Sequence, residues 1–543
     1  MKVILYSLFV VSIYGCVPSD KDTSDLDTTD TTDTTDTQNN TNTTHEYENI
    51  STDTTWNGNH TINGSITVTA TLTIEACSTI HMSPNSYISV QDGGRILSTG
   101  TEDCLITFTS TENDPASGDW GYIELYTNGN VFDWTVIEYA GNDYASIWVA
   151  DQGTVTVTNS TFANSERGIE LMQGATLTSF SGNTFTGMEK FIMSVATEHV
   201  KSLNPITATD NNSNFIVIKN GTLERDGTWK NPAVPFKTNG FTLDAEVTVE
   251  AGTVFMMEEN AYILVNNGGA LINNGTQADP VIYTSASIEP QSGDWGYIDL
   301  YSNGNVFDWT IVEYAGKDYA SVFCNDNSSI TITNSVFSDS KKALEMRDGS
   351  TLHNFSDNTF TRIEDYIMTI APDHVNDLGT MTGTNNETPS IEITYGTLRH
   401  DAMWKHWEFP YSVNSVTITA EVTVEAGSTL LMVPDALISI NDGGSVILDG
   451  RQNARITVTS EKGNPLAGDW AEFDIYSTSN NNNRFSYADI MYGGGYGYGA
   501  VWLDDGAYLE LDHVTFSHNE QCDMRLYTGS EVVASNTSYL VCE

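Results

Sequence analysis

The chain has 543 residues and a formal net charge of −50 at pH 7, with 72 acidic against 22 basic residues. This charge excludes nucleic acid as a partner, because phosphate binding requires a basic face. Apolar residues make up 39% of the chain, enough for a large core. Thr, Asn, Ser, Gly and Asp are frequent and no long stretch has helical periodicity, so the composition predicts an all-β protein.

The first 15 residues carry one early lysine and a short apolar run, which predicts a secretory signal peptide rather than a membrane-spanning helix. The segment Ile-Tyr-Gly-Cys that ends at Cys16 resembles a bacterial lipoprotein signal, except that Tyr14 is bulkier than the usual residue at that place. The resemblance implies cleavage before Cys16 and lipidation of that cysteine. The expectation is an exported, membrane-anchored lipoprotein at the outer membrane or cell surface; the alternative is ordinary secretion.

Residues 16–55 are of low complexity and are dominated by repeated Asp-Thr-Thr. The segment has few apolar side chains and its acidic groups repel one another, so burial cannot offset the entropy of ordering it. We expect an extended, disordered tether between a lipid and a folded body.

The rest of the chain contains a long internal repeat. Trp120, Trp295 and Trp470 each follow Gly-Asp and are spaced by 175 residues, and 25 of 30 positions are identical between residues 117–146 and 292–321. Such a period indicates tandem copies of one structural unit. The repeat predicts three blocks, at residues 56–228, 229–403 and 404–543, each opened by a Trp-led segment, with the end of the third block forming a C-terminal cap.

A finer period lies inside the blocks. Asn-Ser-Thr-Phe at residues 159–162 is echoed 24 residues after its asparagine by Asn-Thr-Phe, and short alternating runs are separated by turns such as Asp-Gly-Gly at 92–94. One coil of three short strands cannot bury its own face, so coils must stack. The Asn-Ser-x-Phe coils, the Gly-x-Trp element, Thr-Val-Glu-Ala-Gly at 248–252 and Ile-Glu-Tyr-Ala-Gly at 137–141 resemble the right-handed parallel β-helix family. The resemblance implies a solenoid of about 21 coils over residues 56–543, in which stacked coils bury a shared core.

The cysteines suggest two disulfides in an exported protein. The other two blocks have no cysteine at the positions that match Cys77 and Cys104. Both cysteines occur together in the first block, as expected for the two partners of a local disulfide. Cys522 and Cys542 lie 20 residues apart, near one coil's length, and would staple the C-terminal end. Cys324 matches apolar residues in the other blocks and is expected to be a free, buried side chain.

Repetition also separates structural groups from catalytic ones, since a catalytic group is needed only once. Asp119, Asp294 and Asp469 recur in Gly-Asp-Trp and are expected to cap backbone N–H groups at a corner. His199 and His374 recur as well and are expected to make structural hydrogen bonds.

Motifs of the enzymes that share the β-helix fold point away from catalysis. The blocks typical of galacturonase-like hydrolases are missing, and no acidic calcium cluster beside a basic residue can be placed. No His/Cys metal motif is present. No catalytic residue, metal site or cofactor is assigned; calcium suits an acidic surface, but the sequence places no site for it. A pair of carboxylates for glycoside hydrolysis stays open among 72 acids.

A surface stripe is the candidate binding site. In the strand after Trp120, Ile123 and Leu125 should face inward, which turns alternate residues outward. Aromatic faces beside carboxylates suit stacking on sugars, and copies arrayed along the solenoid would gain by multivalency. The alternative is that these tyrosines only stack coil on coil. The proposed ligand-binding residues are Tyr122, Glu124, Tyr126, Tyr297, Asp299 and Tyr301.

Outward threonines at 154, 156 and 158 would also suit an ice-binding ladder, but the third block breaks the ladder with Glu510 and Asp512.

The sequence as a whole favours a monomeric, non-enzymatic surface protein with a structural or adhesive role, and a polysaccharide or cell-surface glycan as its partner. The alternative is a polysaccharide lyase or glycoside hydrolase that acts in a lateral groove.

Overall fold

The structure is a computed structural model that describes residues 42–476 and 481–542. It confirms the prediction of a right-handed parallel β-helix, an all-β solenoid of about 21 turns. Each turn contributes short strands that pair in parallel with the turns below and above, as Ile123–Leu125 does with Tyr87–Val90 and with Ile147–Val149. We number the sheets that run along the solenoid 1 to 7.

The first block is built on sheets 1, 2 and 3. Sheet 1 contains Thr43–Glu46, Asn59–Asn63, Thr79–Met82, Ile106–Ser110, Thr135–Glu138, Thr161–Ala163, Thr184–Thr186 and Thr207–Thr209. Sheet 2 begins with Asn49–Ile50, Ser65–Val68, Tyr87–Val90, Ile123–Leu125, Ile147–Val149, Arg167–Leu171, Phe191–Ala196 and Ile216–Lys219. Sheet 3 contains Thr54–Trp56, Thr71–Ile74, Arg95–Thr99, Asn130–Asp133, Thr154–Thr158 and Thr176–Ser181.

The second block continues sheet 2 and adds sheets 4 and 5; two long strands, Phe236–Leu243 and Val254–Val265, belong to sheet 2 by their first halves and to sheet 4 by their second halves. Sheet 2 continues through Val281–Ser285, Thr310–Glu313, Val336–Ser338, Asn358–Thr361 and Met381–Thr384. Sheet 4 begins with Thr222–Leu223 and, after the two shared strands, continues through Ile298–Leu300, Val322–Cys324, Leu344–Met346, Tyr366–Ile370 and Thr388–Ile393. Sheet 5 contains Gly227–Trp229, Glu246–Glu250, Ala270–Asn274, Asn305–Asp308, Ser329–Thr333 and Thr351–Ser356.

The third block continues sheet 4 and adds sheets 6 and 7. Sheet 4 continues through Tyr411–Val413, Thr429–Met432, Ile456–Ser460, Ala488–Met491 and Thr515–Ser517. Sheet 6 contains Gly396–Leu398, Val416–Ile418, Ile438–Ile440, Phe473–Ile475, Val501–Leu503 and Met524–Leu526. Sheet 7 contains Ala402–Trp404, Glu421–Glu425, Ser445–Asp449, Arg484–Ser486, Tyr508–Asp512 and Glu531–Ser535.

Successive blocks are offset by one face of the solenoid. Near each junction a 3₁₀ helix, Thr197–Ser202 or Pro372–Asp377, follows the second-face strand in place of a further third-face strand. The chain then makes one side more than a whole turn, so the second face of one block becomes the first face of the next. The middle face of the three blocks is therefore sheet 2, then sheet 4, then sheet 6.

The corner at Trp134 settles which side chains of residues 132–139 point inward. Trp134 has a φ of 49° and separates two strands, and Phe132 and Ile137 are both fully buried. Strict alternation counted from Phe132 would turn Ile137 outward. The left-handed backbone conformation at Trp134 shifts the inward–outward alternation by one residue. This conformation is rare for so bulky a residue.

The solenoid begins earlier than predicted. The tether was expected to run to residue 55, but Thr43–Glu46 already pairs with Asn59–Asn63. The reason is burial: the rings of His45, Trp56 and His60 pack against one another, with centroids 4.6 to 5.3 Å apart, and all three are buried. The signal peptide, Cys16 and the rest of the predicted tether lie outside the described residues.

Two disulfides join residues that the turns bring together. Cys77 and Cys104 are bonded with a Cα–Cα distance of 4.7 Å, and Cys522 and Cys542 with one of 5.3 Å. Cys324 is free and buried in the core. The second bond holds the last segment on the final turn, where Val541 forms a parallel bridge to Met524.

We predict that Cys542→Ser loosens only the C-terminal end. In a solenoid each turn contacts its neighbours alone, so the loss of about 2–4 kcal/mol expected for a small disulfide loop stays local. Hydrogen exchange should show reduced protection over residues 515–542 and unchanged protection in the first block. Cys104→Ser is the matched control and should show the reverse pattern; uniform loss of protection in either variant would contradict the prediction.

Among the described residues, no helix combines the length and apolar character needed to cross a membrane.

Candidate functional site

The Gly-Asp-Trp motif forms a structural corner beside the candidate site. The Trp120 indole is fully buried and its Nε1 donates to the backbone carbonyl of Glu138 at 2.8 Å. Oδ2 of Asp119 accepts from the Ser110 hydroxyl and the Ala116 N–H at 2.8 and 3.0 Å. Equivalent bonds recur in the other two blocks. The aspartates cap backbone at a corner, as their recurrence predicted.

The recurrent histidines also have structural contacts. His199 and His374 are buried, and Nε2 of each lies within hydrogen-bond distance of a backbone carbonyl, that of Met172 at 2.9 Å and that of Arg347 at 3.1 Å. These carbonyls belong to the turn below, so each histidine ties a 3₁₀ helix to its neighbour.

The first aromatic cluster lies on the outer surface of sheet 2. Ile123 and Leu125 are fully buried, and the intervening residues face outward as expected. The Tyr122 ring stacks on that of Tyr87 in the turn below, with centroids 5.2 Å apart, and meets Tyr144 edge-on at 4.9 Å. Trp148 in the turn above joins the cluster, 5.7 Å from Tyr126 and 5.6 Å from Tyr144.

One carboxylate stands among these rings. The Tyr126 hydroxyl donates to Oε2 of Glu124 at 3.3 Å, while Tyr126 keeps 46% of its surface exposed. Burial, and then the charge of Glu124, raise the pKa of Tyr122 to about 12 and shift the pKa of Tyr126 in the same direction. Both hydroxyls are therefore protonated donors at neutral pH, next to an acceptor and two partly exposed ring faces.

The second aromatic cluster has the same plan on sheet 4. Tyr297 lies 6.3 Å from Tyr262 below and meets Tyr319 edge-on at 4.9 Å, and Phe323 takes the place of Trp148. Tyr301 is 50% exposed. These residues border a shallow groove of about 590 Å³, lined by Tyr262, Leu264, Asn266, Asn267, Tyr297, Asp299 and Tyr301.

Asp299 is the carboxylate of the second cluster. Nδ2 of Asn325 donates to its Oδ1 from the turn above. Burial nevertheless dominates and raises the pKa of Asp299 to about 6. A ligand hydroxyl that donated to this carboxyl would replace water lost on burial, which favours a hydroxyl-rich ligand in the groove.

The third cluster, on sheet 6, differs in its charged groups. Glu472 stands where the other blocks have Tyr122 and Tyr297, and Asp474 follows it on the same side of the strand. Only 5% and 8% of their surfaces are exposed, and Oε2 of Glu472 and Oδ1 of Asp474 have no hydrogen-bond partner. Burial raises the pKa of Glu472 to about 7 and that of Asp474 to about 6.

The clusters do not form the single row that the sequence suggested. The strands Ile123–Leu125, Ile298–Leu300 and Phe473–Ile475 belong to sheets 2, 4 and 6. Each is thus shifted by one face from the one before, because every block adds one side beyond a whole number of turns. A straight ligand bound along one face would contact only one cluster. The predicted gain in affinity from a row of sites along one face is therefore wrong.

Several residues of these clusters were not predicted. Tyr144 and Tyr319 recur within the 30-residue repeat, and this recurrence was a usable signal. Trp148 lies between the inward residues Ile147 and Val149, so alternation would have placed it outward. Tyr87 and Tyr262 come from the turns below, and only the register between turns brings them to the site.

The described residues contain no group of three or more His, Cys, Asp and Glu side chains arranged to hold a metal ion. The clusters on sheets 2 and 4 are surfaces of aromatic rings around Glu124 and Asp299, and the charges of Asp143 and Asp318 also act on Tyr122 and Tyr297. Aromatic rings beside carboxyl groups can stack on a flat ligand and accept its hydrogen bonds.

Comparison with known proteins gives one similarity. Residues 48–151 and 236–332 match the family described as the pectate-lyase-like β-helix domain. The two matched segments contain the aromatic clusters of sheets 2 and 4. No curated protein and no solved structure matches the chain. By its fold and by these two segments, the chain is a parallel β-helix repeat protein.

Proposed function

We propose that this protein is a non-enzymatic surface protein that binds polysaccharide through the aromatic clusters of sheets 2 and 4. The observation that carries the proposal is the pairing of half-exposed rings with one carboxyl group at the same place in two blocks: Tyr126 and Tyr144 beside Glu124, and Tyr301 and Tyr319 beside Asp299. Ring faces stack on the apolar faces of sugars, while the carboxyl group accepts from sugar hydroxyls.

Coil-on-coil stacking supports the site rather than replacing it. Tyr122 and Tyr297 are partly buried against tyrosines of the turn below, which holds them in place. The outer rings at 126 and 301 keep about half of their surface free. Fixed aromatic platforms lose little conformational entropy on binding, so each cluster is prepared for a flat ligand.

The location is part of the proposal and rests on the sequence alone. The segment that ends at Cys16 has the pattern of a lipoprotein signal, and the acidic, Thr-rich residues that follow would hold the solenoid away from the membrane. With a net charge of −50, the protein would select neutral or cationic glycans over acidic ones.

The alternative function, a lyase or glycoside hydrolase, draws on Glu472 and Asp474, whose pKa values of about 7 and 6 suit an acid and a base. Their placement argues against it. The two residues are separated only by Phe473, so they project from the same side of the strand. Glycoside hydrolysis needs carboxyl groups on either side of the scissile bond.

The experiment is a glycan array with the full chain and with the double variant Tyr122→Ala/Tyr126→Ala. We expect binding of neutral glycans by the native chain and a loss of about thirtyfold at the site on sheet 2 in the variant, since two aromatic contacts of about 1 kcal/mol each are removed. Tyr47→Ala is the matched control, because Tyr47 is exposed and lies outside the clusters, and it should bind normally. Retained affinity in the double variant would rule out the site on sheet 2. New reducing ends or unsaturated products would establish an enzyme instead.

A further inference from the structure

The cluster on sheet 6 lacks the hydrogen-bond donor that Asp299 has in the cluster on sheet 4. In sheet 4, Asn325 donates to Asp299. Val501–Leu503 pairs with Phe473–Ile475 as Val322–Cys324 pairs with Ile298–Leu300, so Asp504 occupies the place of Asn325. A donor has been replaced by a third carboxylate, and its charge opposes ionisation of Asp474. The substitution concentrates acceptors at one point of the surface.

No cation of the described chain compensates these groups. Glu472, Asp474 and Asp504 take part in none of the ion pairs among the described residues. Among the residues that the structure describes, the Tyr476 hydroxyl donates to Asp474, while Oε2 of Glu472 and Oδ1 of Asp474 receive no hydrogen bond. Buried acceptors without donors are costly, and a site retains them when a ligand supplies the donors.

Aromatic rings adjoin the carboxylates. The Tyr476 ring lies 5.3 Å from Trp502 in the turn above, and Trp502 lies 5.2 Å from Tyr527 beyond it. Arg525 follows Trp502 in the next turn, and its guanidinium lies over the ring of Tyr498, 5.1 Å from the centroid. Carboxylates beside aromatic faces favour a cation that also carries N–H donors.

We propose that this cluster, formed by Glu472, Asp474, Asp504, Tyr476 and Trp502, binds the protonated primary amine of an amino sugar. An ammonium group brings three donors and one positive charge to the unpartnered carboxyl oxygens, and the sugar ring stacks on the neighbouring aromatic rings. That the amine is carried on a sugar rests on the proposed function. That the site takes an ammonium group rests on the carboxylates alone.

The loop at residues 493–499 packs on the backbone just before the cluster. Residues 493–499 include five glycines, of which Gly494, Gly497 and Gly499 have positive φ. The corresponding loops of the first two blocks have one glycine each. Gly494 and Gly495 donate their backbone N–H groups to the carbonyls of Ala471 and Trp470 at 2.6 and 3.0 Å. A side chain at Gly495 would collide with the Gly468 carbonyl, so the glycines permit this close approach of two backbone segments.

The experiment measures binding of D-glucosamine to the full chain by calorimetry, with N-acetyl-D-glucosamine and D-glucose as matched ligands that lack the charge. We expect glucosamine to bind at least about tenfold more tightly than either, and Glu472→Gln to weaken it about tenfold. Glu472→Tyr, which restores the residue of the other blocks, should remove the preference for the amine. Thermal unfolding checks that both variants are folded.

Failure of this proposal can be told from failure of the proposed function. Equal affinity for glucosamine and N-acetylglucosamine, or unchanged affinity in Glu472→Gln, overturns the ammonium site, whatever the array shows for sheets 2 and 4. Calcium binding that is lost in Glu472→Gln, without glucosamine binding, overturns it in favour of a metal. Glucosamine binding that depends on Glu472, with no neutral glycan bound, supports the ammonium site and refutes the proposed function.

Discussion

Trp120→Ala is expected to destabilise the middle of the first block by about 3–5 kcal/mol, the usual cost of truncating a fully buried aromatic side chain. The Trp120 indole has no exposed surface, and its Nε1 bonds the Glu138 carbonyl on the first face. Alanine leaves a cavity and an unpaired carbonyl together. Because each turn contacts only its neighbours, the loss should be local and unfolding should no longer be all-or-none.

Hydrogen exchange with denaturant titration measures this effect. Protection over residues 106–171 should fall, while the second and third blocks keep theirs. Trp148→Ala is the matched control, since it removes the same side chain from the outer surface of the next turn. It should change stability by less than about 1 kcal/mol and weaken glycan binding instead. Equal destabilisation by the two substitutions would show that the inward and outward assignments of Trp120 and Trp148 are mistaken.

The stability of the third block is expected to fall as the pH rises from about 4.5 to about 7. Burial raises the pKa of Glu472 from 4.5 to about 7 and that of Asp474 from 3.8 to about 6. Between these limits the folded chain holds protons that the unfolded chain has released, so raising the pH favours unfolding. The pair titrates as a unit, with Asp504 and the Tyr476 hydroxyl as the nearest further groups.

Glu472→Gln tests the sign and the size of this effect. The glutamine cannot ionise, so we expect the variant to gain at most roughly 3 kcal/mol over the native chain above about pH 7 and little at pH 4.5. Chemical denaturation followed in the third block at several pH values gives the difference. Glu510→Gln, a change at an exposed carboxylate of the same block, should leave the pH dependence unaltered. A native chain whose third block gains stability over this pH range would contradict the argument.

The local structure could be predicted because it follows from alternation and turn chemistry. The inward positions of Ile123 and Leu125, the capping role of Asp119 and the parallel stacking of turns all follow from patterns within about 30 residues. Prediction failed where backbone conformation interrupts the pattern. At Trp134 the left-handed corner shifts the alternation, and nothing in the composition of residues 130–138 marks it.

The start of the solenoid was also set by tertiary contact. Residues 43–55 have the composition of the tether that precedes them, so propensity alone favours disorder. They are ordered because the next turn offers a parallel strand edge and because His45 and Trp56 fill the end of the core. A segment that adds one turn to an existing solenoid needs far less intrinsic preference than one that folds alone.

Patterns within the sequence are enough to predict the class of the fold, the repeat, and the outward direction of the tyrosines within each strand. The register between turns decided the rest: that Tyr87 and Tyr262 complete the clusters, that Asp504 faces Asp474, and that the clusters lie on three different sheets. The physical reason is that alternation along a strand is a local property. The face that a strand occupies depends on the number of sides made by all the turns before it, and one extra side in each block turns every later residue by one face.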